Sequence, residues 1–197
     1  MRKIRTFLRW ILTGMLSVLY LPHLIIYLLG AGKVKIDMDL ERYKEHFKTR
    51  APLFLYLLYL LCNDKYFRCL FYYRIGPVAS TLIGWYRPGD KYFQIPKELQ
   101  MGGGCIFYHP YATVLNAESI GSGFCCIQCT TLGYGKKGRP VIGDNVSLGA
   151  SVTIIGNVHI GNNVIVGAGS VVVKDIPDNC VVAGNPAKII RCLNQNE

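Results

Sequence analysis

Histidine is scarce in this chain, which has four among its 197 residues, at positions 23, 46, 109 and 159. A catalytic metal site of the three-histidine type needs its ligands to converge on one point. Only His109 and His159 lie in or beside the repetitive segment described below, and they are not placed as a cluster. The scarcity argues against a metal-dependent hydratase, and we expect the chain to bind no metal.

Negative charge is also scarce, because 12 Asp and Glu stand against 22 Lys and Arg, for a net charge of +10. Residues 1–100 hold 16 cationic and 7 acidic residues, whereas residues 101–197 hold 6 and 5. Nucleic-acid-binding proteins usually carry their cations in one stripe or in a recognisable module. Here the cations flank hydrophobic segments, which fits an anionic membrane surface, and we expect no nucleic-acid partner.

The most informative feature that is present is a six-residue period between positions 120 and 177. Each hexad is led by one apolar residue, and four residues are inserted between the third and fourth hexads. The lead residues are Ile120, Cys126, Leu132, Ile142, Leu148, Ile154, Ile160, Val166 and Val172. A unit of six residues is too short for a helix or a hairpin and can bury its apolar edge only against its neighbours. The period predicts a parallel β-helix with three flat faces and about eighteen residues per coil.

The repeat and the ending Val182–Lys188 resemble the hexapeptide-repeat acyltransferases. The segment Gly104–His109, with the motifs that begin at Asn116 and Gln128, is similar to the serine acetyltransferase branch of that family. The resemblance implies a mainly β fold that contains a left-handed parallel β-helix. The residues that precede the repeat predict an N-terminal α-helical, membrane-associated region. We expect the helical region at 1–75, a connector at 76–100, the β-helix at 101–182 and a CoA-contacting tail at 183–197.

Residues 10–32 carry no charged side chain and are long enough to cross a bilayer, which needs about 20 apolar residues. A cleaved signal peptide is disfavoured because no clear small-residue cleavage site follows. A single crossing would carry the rest of the chain across the membrane, away from cytosolic acetyl-CoA. We favour a re-entrant or interfacial helix bent at Pro22, which keeps the protein on the cytoplasmic face of a bacterial-type membrane.

A second apolar run, Pro52–Cys62, is too short to span a membrane. With the segment that follows, it predicts two helices that either lie on the membrane or form an ordinary helical core. Asn63 is the expected N-cap of the second of these helices.

Eight cysteines are present, but the large apolar content removes the need for a disulfide framework. Cys126 leads a hexad, where a small apolar filler is expected. Cys126 and Cys129 form one C-x-x-C pair, which without a second pair is a weak metal or redox signal. We expect reduced, packing cysteines.

Acyl transfer to a hydroxyl needs a base for the hydroxyl proton, and histidine is the side chain that titrates near neutrality without help. His23 lies in the hydrophobic segment, His46 in a charged stretch and His159 at an outward hexad turn, which leaves His109. In the serine acetyltransferase branch the histidine at this place is the general base. The resemblance therefore implies that role for His109.

The branch also has an acidic group that orients the imidazole, and Glu98 and Glu118 are the candidates here, although Glu118 can equally be a solvated turn acid. Tyr108 stands where the branch has Asp, and Arg139 stands where it has a second His. We expect an acceptor-facing set of Tyr108, Lys136, Lys137 and Arg139, with the two lysines able to cover the nucleotide instead.

By the same resemblance acetyl-CoA is the co-substrate and lies in a slot between adjacent β-helices of a homotrimer. The expected contacts to the pantetheine arm are Gly149, Ala150, Gly167 and Ala168, and those to the phosphates are Lys188 and Arg191. A solvated side chain is the alternative for each lysine.

The resulting hypothesis is an acetyl-CoA-dependent O-acetyltransferase whose acceptor is a hydroxyl of a cell-surface saccharide or its lipid-linked precursor. The close alternative is serine O-acetylation in cysteine biosynthesis, which the surroundings of His109 support and which Tyr108 and Arg139 weaken. A non-catalytic membrane scaffold on the same fold is the third possibility.

Overall fold

The computed structural model describes residues 2–30 and 32–193, and it divides into two compact units, Met1–Asp90 and Lys91–Glu197. The division falls inside the segment 76–100 that the sequence predicts as a connector. Each unit is described by itself below.

The first unit is helical, as the sequence predicts. Its elements are α1 (Arg2–Leu16), a 3₁₀ turn (Ser17–Tyr20), α2 (Leu21–Leu29), α3 (Lys33–Phe47), α4 (Leu53–Asn63) and α5 (Lys65–Gly84). Pro22 lies in the first turn of α2, where its missing N–H breaks no helical hydrogen bond. The helix α5 is kinked at Gly76, which has φ of 82° and precedes Pro77.

The N-cap of α5 is Asp64, so the prediction of Asn63 was wrong by one residue. The Asp64 carboxylate accepts hydrogen bonds from the backbone N–H groups of Tyr66 (2.8 Å) and Phe67 (3.1 Å). Asn63 ends α4 instead, and its amide donates to Thr13 Oγ1 and to the carbonyl of Tyr59, both at 3.0 Å. Both residue types are good caps, and the break between the two apolar runs decided which one is used.

The second unit is a parallel β-helix, which confirms the predicted fold. Its strands are β1 (Phe93–Gln94), β2 (Gln100–Met101), β3 (Ile106–Tyr108), β4 (Thr113–Leu115), β5 (Ser119–Ile120), β6 (Cys125–Ile127), β7 (Thr131–Gly133), β8 (Val141–Ile142), β9 (Ser147–Leu148), β10 (Thr153–Ile155), β11 (His159–Ile160), β12 (Ile165–Val166), β13 (Val171–Val172), β14 (Cys180–Gly184) and β15 (Ala187–Cys192). They form a five-stranded sheet (β1-β4-β7-β10-β13), a four-stranded sheet (β11-β8-β5-β2) and a six-stranded sheet (β15-β14-β12-β9-β6-β3). Strands β1 and β2 already pair with the coil that follows, so the solenoid begins within the predicted connector.

The interior of the β-helix is built from the lead residues of the hexads. All nine are buried, with exposed fractions of 2% or less, including Cys126 at 0%. Each lead residue contacts the equivalent residue of the next coil, because paired parallel strands place them in register. The six-residue period therefore identified the core of this unit correctly.

The corner that leads from the four-stranded to the six-stranded sheet is held by side-chain ladders. Asp144 and Asp178 accept hydrogen bonds from the backbone N–H groups of Ser122 (2.6 Å) and Asn162 (2.7 Å) in the neighbouring coils. A Cβ on Gly143 would lie 2.8 Å from the backbone carbonyl of Gly161 in the next coil, so only glycine fits there without a backbone shift. This corner, which we call the Asx corner, satisfies its own backbone groups and serves as scaffold.

The C-terminal segment departs from the parallel pattern. After β14 the chain reverses, and β15 pairs antiparallel with β14 at the edge of the six-stranded sheet. The strand β15 therefore occupies Ala187–Cys192 of the predicted tail at 183–197, and residues 194–197 lie outside the described part.

Candidate active site

A second corner of the β-helix, where the chain passes from the six-stranded to the five-stranded sheet, contains His109. It consists of residues 91–92, 109–112, 128–130, 149–152 and 167–170, and we call it the His109 corner. Tyr108 pairs with Ile127, Val166 pairs with both Leu148 and Val182, and Ala183 pairs with Lys188. The residues at the edge of this corner therefore follow one another in register as Tyr108, Ile127, Gly149, Gly167, Ala183 and Lys188. At about 4.8 Å per step, Tyr108 and Gly167 are about 14 Å apart.

His109 is the exposed residue at which the chain leaves β3. Its φ of 49° lies in the left-handed region, and its carbonyl accepts a hydrogen bond from the N–H of Tyr111 at 2.6 Å. Pro110, between them, is buried and cannot donate a backbone hydrogen bond. The tight turn fixes the backbone of His109 while it leaves the imidazole open to solvent.

Unfavourable backbone conformation is concentrated at this corner. Besides His109, the residues Ala112, Cys129 and Ser151 have φ of 51°, 60° and 59°. At the Asx corner, by contrast, the equivalent positions with positive φ are glycine or asparagine, such as Gly123. A side chain in the left-handed region costs about 1–3 kcal/mol and persists where other requirements dominate, often at functional sites.

The four small residues predicted to line the CoA slot all lie on the His109 corner. Ala168 is exposed and Gly149, Ala150 and Gly167 are partly exposed, so no bulky side chain covers the backbone along these coils. A second reason for glycine emerges from the structure, since a Cβ on Gly149 would lie 2.6 Å from the backbone N of Ala168. Coil stacking thus requires glycine at position 149 whether or not a ligand approaches.

The cations predicted for the phosphates lie on β15. Lys188 is exposed and pairs with Ala183, which places it at the end of the corner ladder. Arg191 is also exposed but pairs with Val181, two residues before Ala183 on the same strand. Lys188 therefore continues the line from His109, and Arg191 is displaced from it.

Two tyrosines lie at the opposite end of the corner. Tyr92 and Tyr111 are about half exposed, and their ring centroids are 5.2 Å apart in an edge-to-face arrangement. Lys91 Nζ lies 4.9 Å from the centroid of the Tyr92 ring. The carbonyl of Tyr92 accepts from the N–H of Thr113 at 3.0 Å, which fixes its coil directly before that of His109.

The predicted acidic orienting groups and the inserted loop occupy the third corner. Glu98 precedes β2, Glu118 precedes β5, and the N–H of Glu118 donates to the carbonyl of Pro140 at 2.9 Å. Lys136 and Lys137 form the exposed tip of a two-residue turn closed by Gly135 and Gly138, and Arg139 follows it. We call this the loop corner, and within one chain the width of the five-stranded sheet separates it from His109. The structure thus brings the CoA-slot residues to His109 but not the carboxylates or the loop cations.

The other histidines are placed elsewhere. His23 is fully buried in the helical unit, where its ring hydrogen-bonds to the hydroxyls of Tyr72 (3.0 Å) and Tyr86 (3.2 Å). His159 is exposed on β11, and its backbone N–H donates to Asp175 at 2.8 Å. Among residues 2–30 and 32–193 no group of three or more His, Cys, Asp and Glu side chains is arranged to hold a metal ion.

Sequence reasoning missed two residues at this corner, Tyr92 and Tyr111. Gln128 follows the pair of Tyr108 and Ile127, but the N–H of Cys129 donates to the carbonyl of Tyr111 at 2.8 Å, so Gln128 is in register with Tyr111. The chain takes six steps from Tyr108 to Val114 and four from Ile127 to Thr131, so two additional residues lie in the turn that contains His109. Sequence reasoning missed this alignment because the coils differ in length.

Comparisons with known proteins agree with this geometry. Residues 139–174 match the family model described as bacterial transferase hexapeptide (six repeats). Serine acetyltransferase 2 of Arabidopsis thaliana is 42% identical over 103 residues, which cover 50% of this chain and 32% of the relative. The galactoside O-acetyltransferase of Escherichia coli K12 is 50% identical over 56 residues, which cover 28% of each protein.

Among solved structures, the serine acetyltransferase of Neisseria gonorrhoeae superposes with a TM-score of 0.67 at 28% identity, covering 84% of this chain and 67% of that chain. The chain spans about a third of the length of the first curated relatives it matches. The resemblance to hexapeptide-repeat acyltransferases, and to their serine acetyltransferase-like branch, is confirmed.

The stacking role of Gly149 predicts a stability effect. Gly149→Ala should lower the free energy of unfolding by about 1–3 kcal/mol, because the new methyl group meets the Ala168 backbone. Gly133→Ala is the matched control, since a Cβ there meets only side-chain atoms, the nearest Ile155 Cγ1 at 3.4 Å. Urea unfolding followed by circular dichroism measures both, and equal stability of the two variants would contradict the stacking role.

Proposed function

We propose that this chain is an acetyl-CoA-dependent O-acetyltransferase with His109 as its general base. The observation that carries the proposal is the order of residues along the His109 corner. An exposed imidazole stands at one end, an open strip of small residues follows it, and Lys188 stands at the far end. This order matches a ligand with a reactive thioester, a long thin arm and terminal phosphates.

In the proposed reaction the acceptor hydroxyl attacks the thioester carbonyl while an imidazole nitrogen of His109 takes the hydroxyl proton. The imidazolium then returns the proton to the departing sulfur, so the side chain ends the cycle in its starting state. The small residues leave the backbone open for the arm, and Lys188 offers a cation to phosphate.

The proposed assembly is a homotrimer of β-helices. Glu98, Glu118 and the loop with Lys136 and Lys137 lie on a different corner from His109 in one chain. In the proposed threefold arrangement the loop corner of one copy would lie beside the His109 corner of the next. The predicted roles of these residues in orienting His109 and covering the substrates therefore require a neighbouring chain.

For the acceptor we propose a hydroxyl of a saccharide or of its lipid-linked precursor. Tyr92 and Tyr111 lie on the side of His109 away from the strip of small residues, which is where the acceptor must sit if CoA fills the strip. Their exposed rings present apolar faces for sugar C–H groups and hydroxyls for hydrogen bonds. Among the relatives, the galactoside O-acetyltransferase acts, by its name, on a sugar derivative.

Free serine is the second candidate acceptor, because the Arabidopsis relative and the Neisseria structure are both serine acetyltransferases. The local chemistry favours it less, since Tyr108 and Arg139 replace the acid and the histidine expected for a free amino acid. Direct assay with both acceptors decides between the two.

We also propose that the helical unit attaches the protein to the cytoplasmic face of a membrane without crossing it. The segment Phe7–Leu29 is long and apolar enough to span, and only 28% of its most apolar window is buried within the chain. Its polar side chains face inward, because Thr13 accepts from Asn63 of α4 and His23 bonds to Tyr72 of α5. Apolar side chains face outward, among them Phe7, Leu8, Met15, Val18, Ile25, Leu28 and Leu29. This polarity is the reverse of that of a water-facing helix, and it suits a helix that lies in the interface with its outer face in lipid.

Substitution of the proposed base tests the enzyme assignment. His109→Gln should lower kcat by about 10²–10⁴, because the hydroxyl would attack with its proton unassisted. His159→Gln, an exposed histidine of the same unit, should retain the original turnover. Thiol release from acetyl-CoA in the presence of serine or p-nitrophenyl galactoside measures both, and full activity of His109→Gln would rule out the base.

Comparison of two acceptors tests the substrate class. We expect a higher kcat/KM for p-nitrophenyl galactoside than for free serine. Tyr111→Ala should raise KM for the glycoside severalfold while KM for acetyl-CoA stays unchanged, because the ring lies away from the strip of small residues. A higher kcat/KM for serine would replace the saccharide proposal with serine O-acetylation.

Vesicle flotation tests the membrane proposal. The protein should float with phosphatidylcholine vesicles, and more completely when phosphatidylglycerol is included. A triple variant Met15→Gln, Ile25→Gln and Leu28→Gln should bind at least about tenfold more weakly, because each buried apolar side chain contributes about 1.5–3 kcal/mol. Val173→Gln, at an exposed apolar residue of the β-helix, is the matched control and should float normally. Equal flotation of all three proteins would exclude this face as the attachment surface.

A further inference from the structure

Two cysteines face each other across the last two strands. Cys180 begins β14, Cys192 ends β15, and they are direct partners in the antiparallel register. The N–H of Leu193 donates to the carbonyl of Asn179 at 2.7 Å, one residue outside the pair. This pattern identifies a non-hydrogen-bonded pair, in which Cα atoms are about 4.5 Å apart and side chains lie closest. A disulfide accommodates Cα separations of about 4.4–6.8 Å, so the backbone is already within range.

The two thiols differ in their exposure to solvent. Cys180 is 2% exposed and its thiol donates to the carbonyl of Asp178 at 3.4 Å, whereas Cys192 is exposed. Burial, and secondarily the neighbouring Cys192, raise the pKa of the Cys180 thiol. An external reagent therefore meets Cys192 first, and Cys180 lies beside it as the second thiol.

We propose that Cys180 and Cys192 form a reversible intramolecular disulfide by exchange with a small disulfide such as glutathione disulfide. The Cys192 thiolate attacks one sulfur of glutathione disulfide, which forms a mixed disulfide and releases one glutathione thiolate. Cys180 loses its proton and attacks the sulfur of Cys192, which releases the second glutathione. Two protein thiols are oxidised to one disulfide, and one glutathione disulfide is reduced to two glutathiones.

The bond ties β15 to the β-helix. Strand β15 is an edge strand whose residues Ile189 and Ile190 are exposed, and it carries Lys188 and Arg191. In the reduced protein the antiparallel pairing with β14 holds this strand at the sheet edge, whereas the disulfide would prevent the two strands from separating. A role for the bond in fixing Lys188 toward the phosphates of CoA rests on the proposed function, but formation of the bond does not.

Mass spectrometry of the whole protein tests the pair. The native protein is equilibrated with glutathione at graded ratios of disulfide to thiol, free thiols are alkylated, and the digest is analysed. We expect one cross-link, between the tryptic peptides 175–188 and 192–197, with a loss of two hydrogen atoms. Cys180→Ser should instead retain one glutathione on Cys192, and Cys192→Ser should show neither product. Cys129→Ser, at another exposed cysteine, is the control and should form the cross-link normally.

The same experiment can also contradict the disulfide proposal. Absence of the cross-link at every ratio, or a bond from Cys192 to another chain, would overturn the proposal. Hydrogen exchange of residues 187–192 gives a second measurement, and it should be slower in the oxidised protein than in the reduced one. A cross-link with no acetyl transfer to either acceptor would contradict the proposed function and leave the disulfide standing.

Discussion

The β-helix depends on one constraint, which is the stacking of successive coils at a single strand spacing. A short coil cannot bury its own apolar residues, so each lead side chain is covered only by its equivalents above and below. Ile120, Leu132 and Ile154 are at most 2% exposed for this reason. A slip of one residue would turn the lead positions outward along the coil, so the register is strongly specified. The alignment of His109 with residues far along the chain is a consequence of that register.

The corners of the solenoid differ in role, because one supports the fold and another carries the candidate catalytic residue. The Asx corner satisfies its backbone groups with ladders of Asp and Asn side chains, such as Asp144 and Asn163, and it has little left to offer a ligand. The His109 corner has no ladder of Asp or Asn side chains among its described residues, and it places non-glycine residues such as Ala112 and Ser151 in the left-handed region. The side-chain hydrogen bonds to its backbone come from the buried hydroxyls of Thr130 and Ser170, and small residues cover its outer surface. The contrast gives a physical reason, independent of any relative, for placing the candidate site there.

The period predicted the core of the β-helix, because the core follows from local spacing. It could not assign residues to corners, because the coils differ in length. Phe107 pairs with Cys126, Cys126 with Leu148, Leu148 with Val166, and Val166 with Val182, so successive coils span 19, 22, 18 and 16 residues. Counting eighteen residues per coil therefore gives a register error that changes with each coil. For this reason the sequence did not show that the small residues lie on the same corner as His109, or on which corner the two carboxylates lie.

Sequence patterns also fail to predict the role of single residues when that role depends on tertiary structure. Asn63 and Asp64 are both good helix caps, and only the position of the break between α4 and α5 made Asp64 the cap. Tyr92 and Tyr111 lie outside the six-residue pattern of the sequence. Their ring centroids are 5.2 Å apart because adjacent coils stack on each other. Hydropathy likewise could not separate a spanning helix from an interfacial one, since both need about 20 apolar residues. The contacts of Thr13 and His23 show only which face of the segment packs against the other helices, and that face could not be read from hydropathy.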